Sequence, residues 1–323
     1  MIMDERKKLR KVLIIVGENW QIQIQKLERK LRNAGIEVQY AVSKTAGEEP
    51  SLLWKEGKIA GKTSDLQQEM VVITDDPRAA LWFSGRRIAC IGCAGREQGY
   101  FAGTGFVTEA PELLEVYEIE EYLFHVQGWP VTVAKTERLV LREIVKEDWE
   151  ILWRISRQEG MKYLYQNGDR EFFRRDNLLA YIEQAYALYG FGLWGVCLRD
   201  GTLIGCCGLS PDEGYGITDA CGLLPDEGHG ETDICGENRC VEDQETGLEL
   251  QYMLSEEYQR QGYGREMCLA VLDFAKERQL ADKVWIKTHP ENTASVHLAI
   301  SLGFTFEGKT AEGYLQYRML LGT

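Results

Sequence analysis

Four short runs, VLIIV at 12–16, IEVQYAV at 36–42, MVVIT at 70–74 and RIACI at 87–91, constrain the first part of this chain more than anything else in it. They are rich in β-branched residues, and VLIIV, MVVIT and RIACI place apolar side chains at consecutive positions, so both faces of such strands need cover. A helical pattern over about 22–33 lies between the first two. Strands buried on both sides and separated by helices predict a small α/β domain around a parallel sheet, Rossmann-like in class. A last amphipathic helix over about 111–125 leads to Gly128 and Pro130, which punctuate the chain and place a domain boundary near residue 130. At 323 residues the chain exceeds the ~250 to 300 that one core usually serves, so two domains, 1–130 and 131–323, are expected.

Beyond the boundary the pattern changes. LVLREI at 139–144 reads as a strand, 146–157 and 171–188 as helices, and FGLWGVCLRDGTLIGCCGLS at 191–210 as a hairpin turning at Asp200 and Gly201. LELQYML at 248–254, KVWIKT at 283–288 and two closing strands alternate with helices over about 264–278 and 292–301. In the first of these helices Met267, Ala270, Val271, Phe274 and Ala275 share one face, which predicts burial against a sheet. The second domain is therefore expected to be α+β with a mixed sheet.

The net charge of −14 opposes non-specific nucleic-acid binding, which needs Lys and Arg to neutralise phosphates. The only apolar run near the start, Val12 to Val16, is too short for a secretory signal or for a membrane span of ~20 residues. A cytoplasmic protein without a membrane partner is expected, its nine cysteines kept as thiols. Much of the acidity is local. CGLSPDEGYGITDA at 207–220 is followed at once by CGLLPDEGHGETDI, and residues 211–246 hold eleven acids against Arg239 alone. Cys207, Cys221, Cys235 and Cys240, with His229 nearby, have 13, 13 and 4 intervening residues where structural zinc sites usually start from tight pairs two to four apart, and the Pro-Asp-Glu-Gly units lack the full run of oxygen ligands of a calcium loop. The repeat reads as an acidic tandem insertion over about 210–246 rather than a metal site.

Chemistry concentrates where strand 248–254 runs into Gln259-Arg260-Gln261-Gly262-Tyr263-Gly264-Arg265 and the amphipathic helix. A glycine-bearing turn at a helix start exposes backbone N–H groups without helical partners, and the helix dipole adds positive potential. Such a turn can cradle an anion, although many glycine turns serve only packing.

The ordered set Gln-x-x-Gly-x-Gly, Asn292-x-x-Ser295 and Leu302-Gly303-Phe304 resembles the GNAT acetyltransferases, especially the branch of ribosomal-protein and other peptide N-terminal acetyltransferases. TERLVLREI at 136–144 resembles that branch's opening strand, and the hairpin at 191–210 its central one. The resemblance covers about 131–323 apart from the insert. It implies transfer of an acetyl group from acetyl-CoA to an amine in a ternary complex. The amides of Gln261 to Arg265, in the turn that Gln259 and Arg260 open, would hold the pyrophosphate. Main chain at Met253 and Leu254 would pair with the pantetheine arm, admitted by a splay between this strand and the next. Asn292 and Ser295 would lie along the other wall. An attacking ammonium must lose a proton, and Glu249 matches the position where relatives often place the base, a carboxylate with a raised pKa. Its plain alternative is an outward-facing strand residue. Where many members carry a tyrosine that protonates the departing thiolate, this chain has Ala299, so the acid is Ser295, Tyr314 or water.

The stretch VVITDDPRAALWFSGRRIACIG resembles the late part of a haloacid-dehalogenase-like (HAD-like) domain, with Asp75 and Asp76 as the matching acids. VLIIVGENW offers no Asp-x-Asp nucleophile, so a degenerate, non-catalytic domain is expected, and Asp75-Asp76-Pro77 equally reads as a helix start. Cys90 and Cys93 have redox-pair spacing but read as buried strand thiols. Two readings of the whole stand: an acetyl-CoA-dependent N-acetyltransferase acting on a primary amine of a small molecule or a peptide N-terminus, with a cationic acceptor as the hypothesis that the acidic insert suggests, and a non-catalytic ligand- or metal-responsive binding protein on the same scaffold.

Overall fold

A computed structural model describes residues 8–40, 67–94, 105–163, 172–211 and 247–322. The chain divides into two compact units, Met3–Val131 and Thr132–Thr323. In the first, strands β1 (Lys11–Ile15), β2 (Glu37–Tyr40), β3 (Met70–Thr74), β4 (Ala89–Cys93) and β5 (Phe106–Thr108) form a parallel sheet in the order β2-β1-β3-β4-β5. Helices α1 (Gln21–Asn33), α2 (Pro77–Ser84) and α3 (Val116–Gln127) accompany it.

The consecutive apolar residues are explained by two separate cores. Val12, Ile14, Val71 and Ile73 pack with Leu27 and Leu31 of α1 and Ile119 and Leu123 of α3. Their alternates Leu13, Ile15, Met70 and Val72 pack with Ala79, Ala80 and Phe83 of α2. Asp76 caps α2 by accepting the Arg78 N–H at 2.9 Å, with Pro77 in the first turn. Asp75 accepts the Gly17 N–H at 2.9 Å, which ties the ends of β1 and β3 together. The helix expected over 111–125 is in fact a 3-10 turn, Pro111–Leu113, followed by α3, because a capping box between Glu115 and Glu118 starts a new helix there. Strand β5 has no counterpart in the sequence reading, being only three residues long.

The second unit holds eight strands: β6 (Thr132–Lys135), β7 (Leu139–Glu143), β8 (Leu193–Leu198), β9 (Leu203–Pro211), β10 (Gly247–Leu254), β11 (Lys283–Thr288), β12 (Thr305–Lys309) and β13 (Leu315–Leu320). Their order is β12-β13-β11-β10-β9-β8-β7-β6, antiparallel throughout except for β10 and β11. Helices α4 (Trp149–Ser156), α5 (Arg175–Tyr189), α6 (Tyr263–Glu277) and α7 (Thr293–Leu302) complete it. Helix α5 begins later than the expected residue 171, since Phe172 and Phe173 are buried ahead of it and the Phe173 carbonyl accepts from Trp149 Nε1 at 3.0 Å. The apolar face of α6 is buried as its spacing requires, and Phe274 meets Trp194 of β8 edge-on at 4.9 Å. The β8–β9 hairpin turns at Asp200 and Gly201, where Gly201 has φ of 90° and Asp200 accepts the Thr202 N–H.

The parallel pair is short. Gly247, Leu248 and Glu249 of β10 pair with Lys283, Val284 and Trp285 of β11, and there the ladder ends. From Leu250 onward β10 stays paired with β9, while β11 stays paired with β13 as far as Thr288. Two neighbouring strands thus diverge in mid-sheet. Cys207 to Pro211, at the start of the repeat, belong to β9, whereas residues 212–246, with Cys221, His229, Cys235 and Cys240, lie outside the described residues. Among the described residues no three His, Cys, Asp or Glu side chains gather as metal ligands, and no helix is long and apolar enough to cross a membrane.

The path of β10 depends on Gly205 of β9. A Cβ at that position would collide with the Met253 carbonyl. Gly205→Ala should therefore destabilise the protein by about 1–3 kcal/mol through overpacking, measured as a lowered denaturant midpoint with unchanged slope.

Candidate functional site

At the end of β10 the chain makes a 3-10 turn, Glu256–Tyr258, and reaches α6 through Gln259 to Gly262. Ser255 donates its N–H to Ile204 O at 2.9 Å, and Gln259 Nε2 donates to Leu254 O at 2.9 Å, so the strand end is pinned from both sides. Arg260 has φ of 59° and Gly262 φ of 85°, two left-handed residues one apart that turn the backbone sharply into the helix. Gly262 is the N-cap and, having no side chain, cannot cap the Tyr263, Gly264 and Arg265 amides. Gly264 has space in front of it, the nearest atom to an added Cβ being Leu298 Cδ2 at 3.6 Å. An uncapped helix start with alternating left-handed backbone and the exposed cations Arg260 and Arg265 suits a pyrophosphate.

A residue the sequence reading passed over holds this turn in shape. Arg138, just before β7, donates from Nη1 to Gln261 O at 3.0 Å and from Nε to Glu266 Oε2 at 2.7 Å, and its guanidinium lies 4.2 Å over the Tyr263 ring. Glu266 also accepts from Thr136 Oγ1 at 2.5 Å and from the Arg138 N–H at 3.0 Å. Burial alone would raise the Glu266 pKa, but these hydrogen bonds and the Arg138 charge outweigh it and hold the carboxyl below its usual value. The signal was present in TERLVLREI, yet a charge 128 residues from its partner gives no local pattern.

The remaining expected residues fall around the divergence of β10 and β11. Met253 and Leu254 are buried on the stretch of β10 beyond its ladder with β11. Glu249 is the last residue of that ladder, and its carboxylate is 3.2 Å from Lys287 Nζ of β11. Lys287 is a partner the sequence reading lacked, and its ammonium holds the Glu249 carboxylate in place. Trp285, opposite Glu249, has a buried Nε1 without a hydrogen-bond partner among the described residues, as does the hydroxyl of Thr288. Asn292 caps α7, accepting the Ser295 N–H at 3.2 Å. Ser295 is buried, and its hydroxyl is 2.6 Å from that of Tyr252 on β10. Tyr314 meets His289, just past β11, edge-on at 6.2 Å; His289 stacks on Tyr163 at 5.1 Å, and Tyr163 donates to Glu291 at 3.2 Å. The structure thus gives Ser295 a tyrosine partner, Tyr252, that was not foreseen. Ala299, where a tyrosine was missed, is fully buried.

The acetyltransferase (GNAT) domain family matches residues 138–305, and the chain belongs to that family. It is an N-acetyltransferase that uses acetyl-CoA. Solved structures are similar to part of the chain at low identity. An acetyltransferase from Agrobacterium tumefaciens is 19% identical, the alignment covering 58% of this chain and 92% of that one with a TM-score of 0.41. A ribosomal-protein-S5-alanine acetyltransferase from Vibrio fischeri is 15% identical over 59% and 96%, TM-score 0.43. A candidate acetyltransferase from Salmonella typhimurium, solved with its cofactor acetyl-CoA, is 17% identical over 57% and 95%, TM-score 0.41. No curated protein matches the chain. All family-matched residues lie in the second unit.

Because the folded-state pKa of Glu266 is lowered, its stabilisation is complete above the usual glutamate value of 4.5 and is lost as pH falls through the lower folded value. The stability difference between the protein and Glu266→Gln should accordingly be constant above pH 4.5 and shrink below it, as followed by denaturant unfolding across pH. The same variant should weaken acetyl-CoA binding at neutral pH.

Proposed function

We propose that the protein transfers the acetyl group directly to a primary amine, with donor and acceptor bound together. The observation that carries this reading is the position of Glu249. It ends the β10–β11 ladder where the strands begin to part, it is fixed by Lys287, and it lies five residues from Leu254 along the strand that leads to the anion cradle. Acetyl-CoA, when bound, supplies an activated acyl group on sulfur. The backbone amides of Tyr263 to Arg265 hold its phosphates, and the unpaired stretch of β10 at Met253 and Leu254 offers main chain for the pantetheine amides. Glu249 accepts the proton that the acceptor ammonium must shed before nitrogen can attack, directly or through one water. Ser295, at the start of α7, provides the hydroxyl that meets the departing sulfur.

The acceptor in this reading is a cationic amine, a basic peptide or a polyamine-like molecule. The ends of β9 and β10 that flank the acidic insert, Pro211 and Gly247, lie beside Ser210 and Glu249, which pair across the two strands. A local excess of acid there raises the concentration of cations near the base by long-range attraction. The ring faces of Tyr163 and Tyr314 and the Glu291 carboxylate near the end of β11 are further groups suited to an ammonium. The first unit is read as a degenerate HAD-like domain without its own chemistry. Gly17 and Glu18 follow β1 where the nucleophile of such a domain would stand, and Asp75 and Asp76 are engaged in a strand tie and a helix cap.

Calorimetric titration with acetyl-CoA should give one site per chain with micromolar affinity. Glu249→Gln should keep that affinity and lower kcat by about 10²–10⁴-fold, the usual contribution of a general base; an unchanged kcat would remove Glu249 from the role. Deleting residues 211–244 should raise KM for a cationic acceptor, more at low salt than at high salt, and leave KM for a neutral amine unchanged.

A further inference from the structure

Tyr252 lies on β10 past the point where the ladder with β11 stops, and its hydroxyl is 2.6 Å from Ser295 Oγ on the first turn of α7. This short contact bridges β10 to the helix that follows β11, across the divergence of the two strands. Ser295 is itself fixed on the other side, its N–H donating to Asn292 Oδ1. Around the phenol stand Cys207 of β9, Cys268 of α6 and Ser295 of α7; the two thiols are 3.9 Å apart and fully buried. Burial raises the Tyr252 pKa, the neighbouring Cys268 and Cys207 raise it further, and the Ser295 hydrogen bond offsets only part of this. The phenol therefore keeps its proton across the working pH range. Either hydroxyl can donate in this contact, and the phenol, a stronger acid than an aliphatic hydroxyl, is the better donor of the two.

We propose that Tyr252 is the positioning residue for Ser295: by donating to Ser295 Oγ it directs the serine's own proton into the gap between β10 and β11, toward the departing sulfur. The inference rests on the acetyl-CoA reading of that gap. As the C–N bond forms and the C–S bond breaks, the electron pair of the broken bond passes to sulfur, and Glu249 takes the proton released by nitrogen. Ser295 stabilises the sulfur anion by hydrogen bonding without surrendering its proton, and Tyr252 strengthens that donation by polarising the serine oxygen. Solvent then protonates the free thiolate and Glu249 returns its proton to solvent, which closes the balance. In this arrangement the strand supplies, through a serine, what the missing side chain at Ala299 does not.

The test follows the thiol of bound coenzyme A by the pH dependence of its ultraviolet thiolate absorbance, using desulfo-coenzyme A as the blank. In the unaltered protein the bound thiol should titrate below the free thiol. In Tyr252→Phe and in Ser295→Ala it should titrate about one unit higher than in the unaltered protein, the scale of one charge-assisted hydrogen bond. Coenzyme A affinity at a pH where the thiol is protonated should stay unchanged. Both variants should lose about tenfold in kcat with KM for acetyl-CoA preserved, and the double variant should lose no more than either single one, because the two act as one unit. Ser295→Thr, which keeps the hydroxyl, should restore the titration. An unshifted titration in Ser295→Ala overturns the proposal whatever the folding of Tyr252→Phe, and additive losses in the double variant overturn it as well. If the unaltered protein fails to bind coenzyme A, the donor-site reading itself falls, an outcome distinct from binding with an unmoved titration.

Discussion

A strand inside a sheet normally satisfies its backbone on both sides, and β10 does so for only three residues on the side of β11. Everything that defines the site follows from that lapse. The part of β10 beyond Glu249 turns one edge to a gap rather than to a neighbour, in the interior of an eight-stranded sheet where an unpaired edge is costly. The gap is tolerable because β9 still holds the opposite edge through Leu254, and because the helices that follow the two strands, α6 and α7, frame it. A ligand carrying amide groups in an extended chain is the natural complement of such an edge.

The divergence also needs devices that keep the strands from closing. On β9, Gly205 lets the Met253 carbonyl come close, so β10 leans toward β9. At its end, Gln259 folds back onto Leu254 O and fixes where the strand stops. The Tyr252–Ser295 bond spans the opening at one level, and the Glu249–Lys287 pair marks its root. These contacts are polar and specific where an apolar filling would have sealed the sheet. An ion pair at 21% and 28% side-chain exposure adds little stability, so its value lies in placing a carboxylate.

Much of this architecture was legible beforehand because it repeats locally. The apolar runs of the first unit, the one-sided face from Met267 to Ala275 and the glycine turn at 262–264 are patterns within a dozen residues, and each formed close to its expected place. What escaped was non-local or too short. The 3-10 turn at Pro111 was merged with α3 because only the reciprocal Glu115–Glu118 contacts separate them. Strands β5 and β6 are three and four residues long and gain their order from neighbours rather than from composition. At the candidate site, the glycine turn was legible as a helix start, while the roles proposed for Asn292 and Glu249 rest on motif order. Lys287, Arg138 and Tyr252 were not legible, since each matters through a partner 38, 128 or 43 residues away. In the first unit the acids at 75 and 76 were visible as residue types, but only coordinates show them employed in holding strands and helix together.

The tie from Arg138 to Gln261 and Glu266 joins the opening of the second unit to a loop more than 120 residues later. Its consequence concerns assembly. Local elements such as α6 can form early, but a contact of this sequence separation carries a large loop-closure cost and is made only after the intervening chain has collapsed. The shape of the Gln259–Arg265 turn therefore depends on the opening of the unit being docked onto it. A chain shortened at its leading strand would keep every residue of the cradle and still lack its shape.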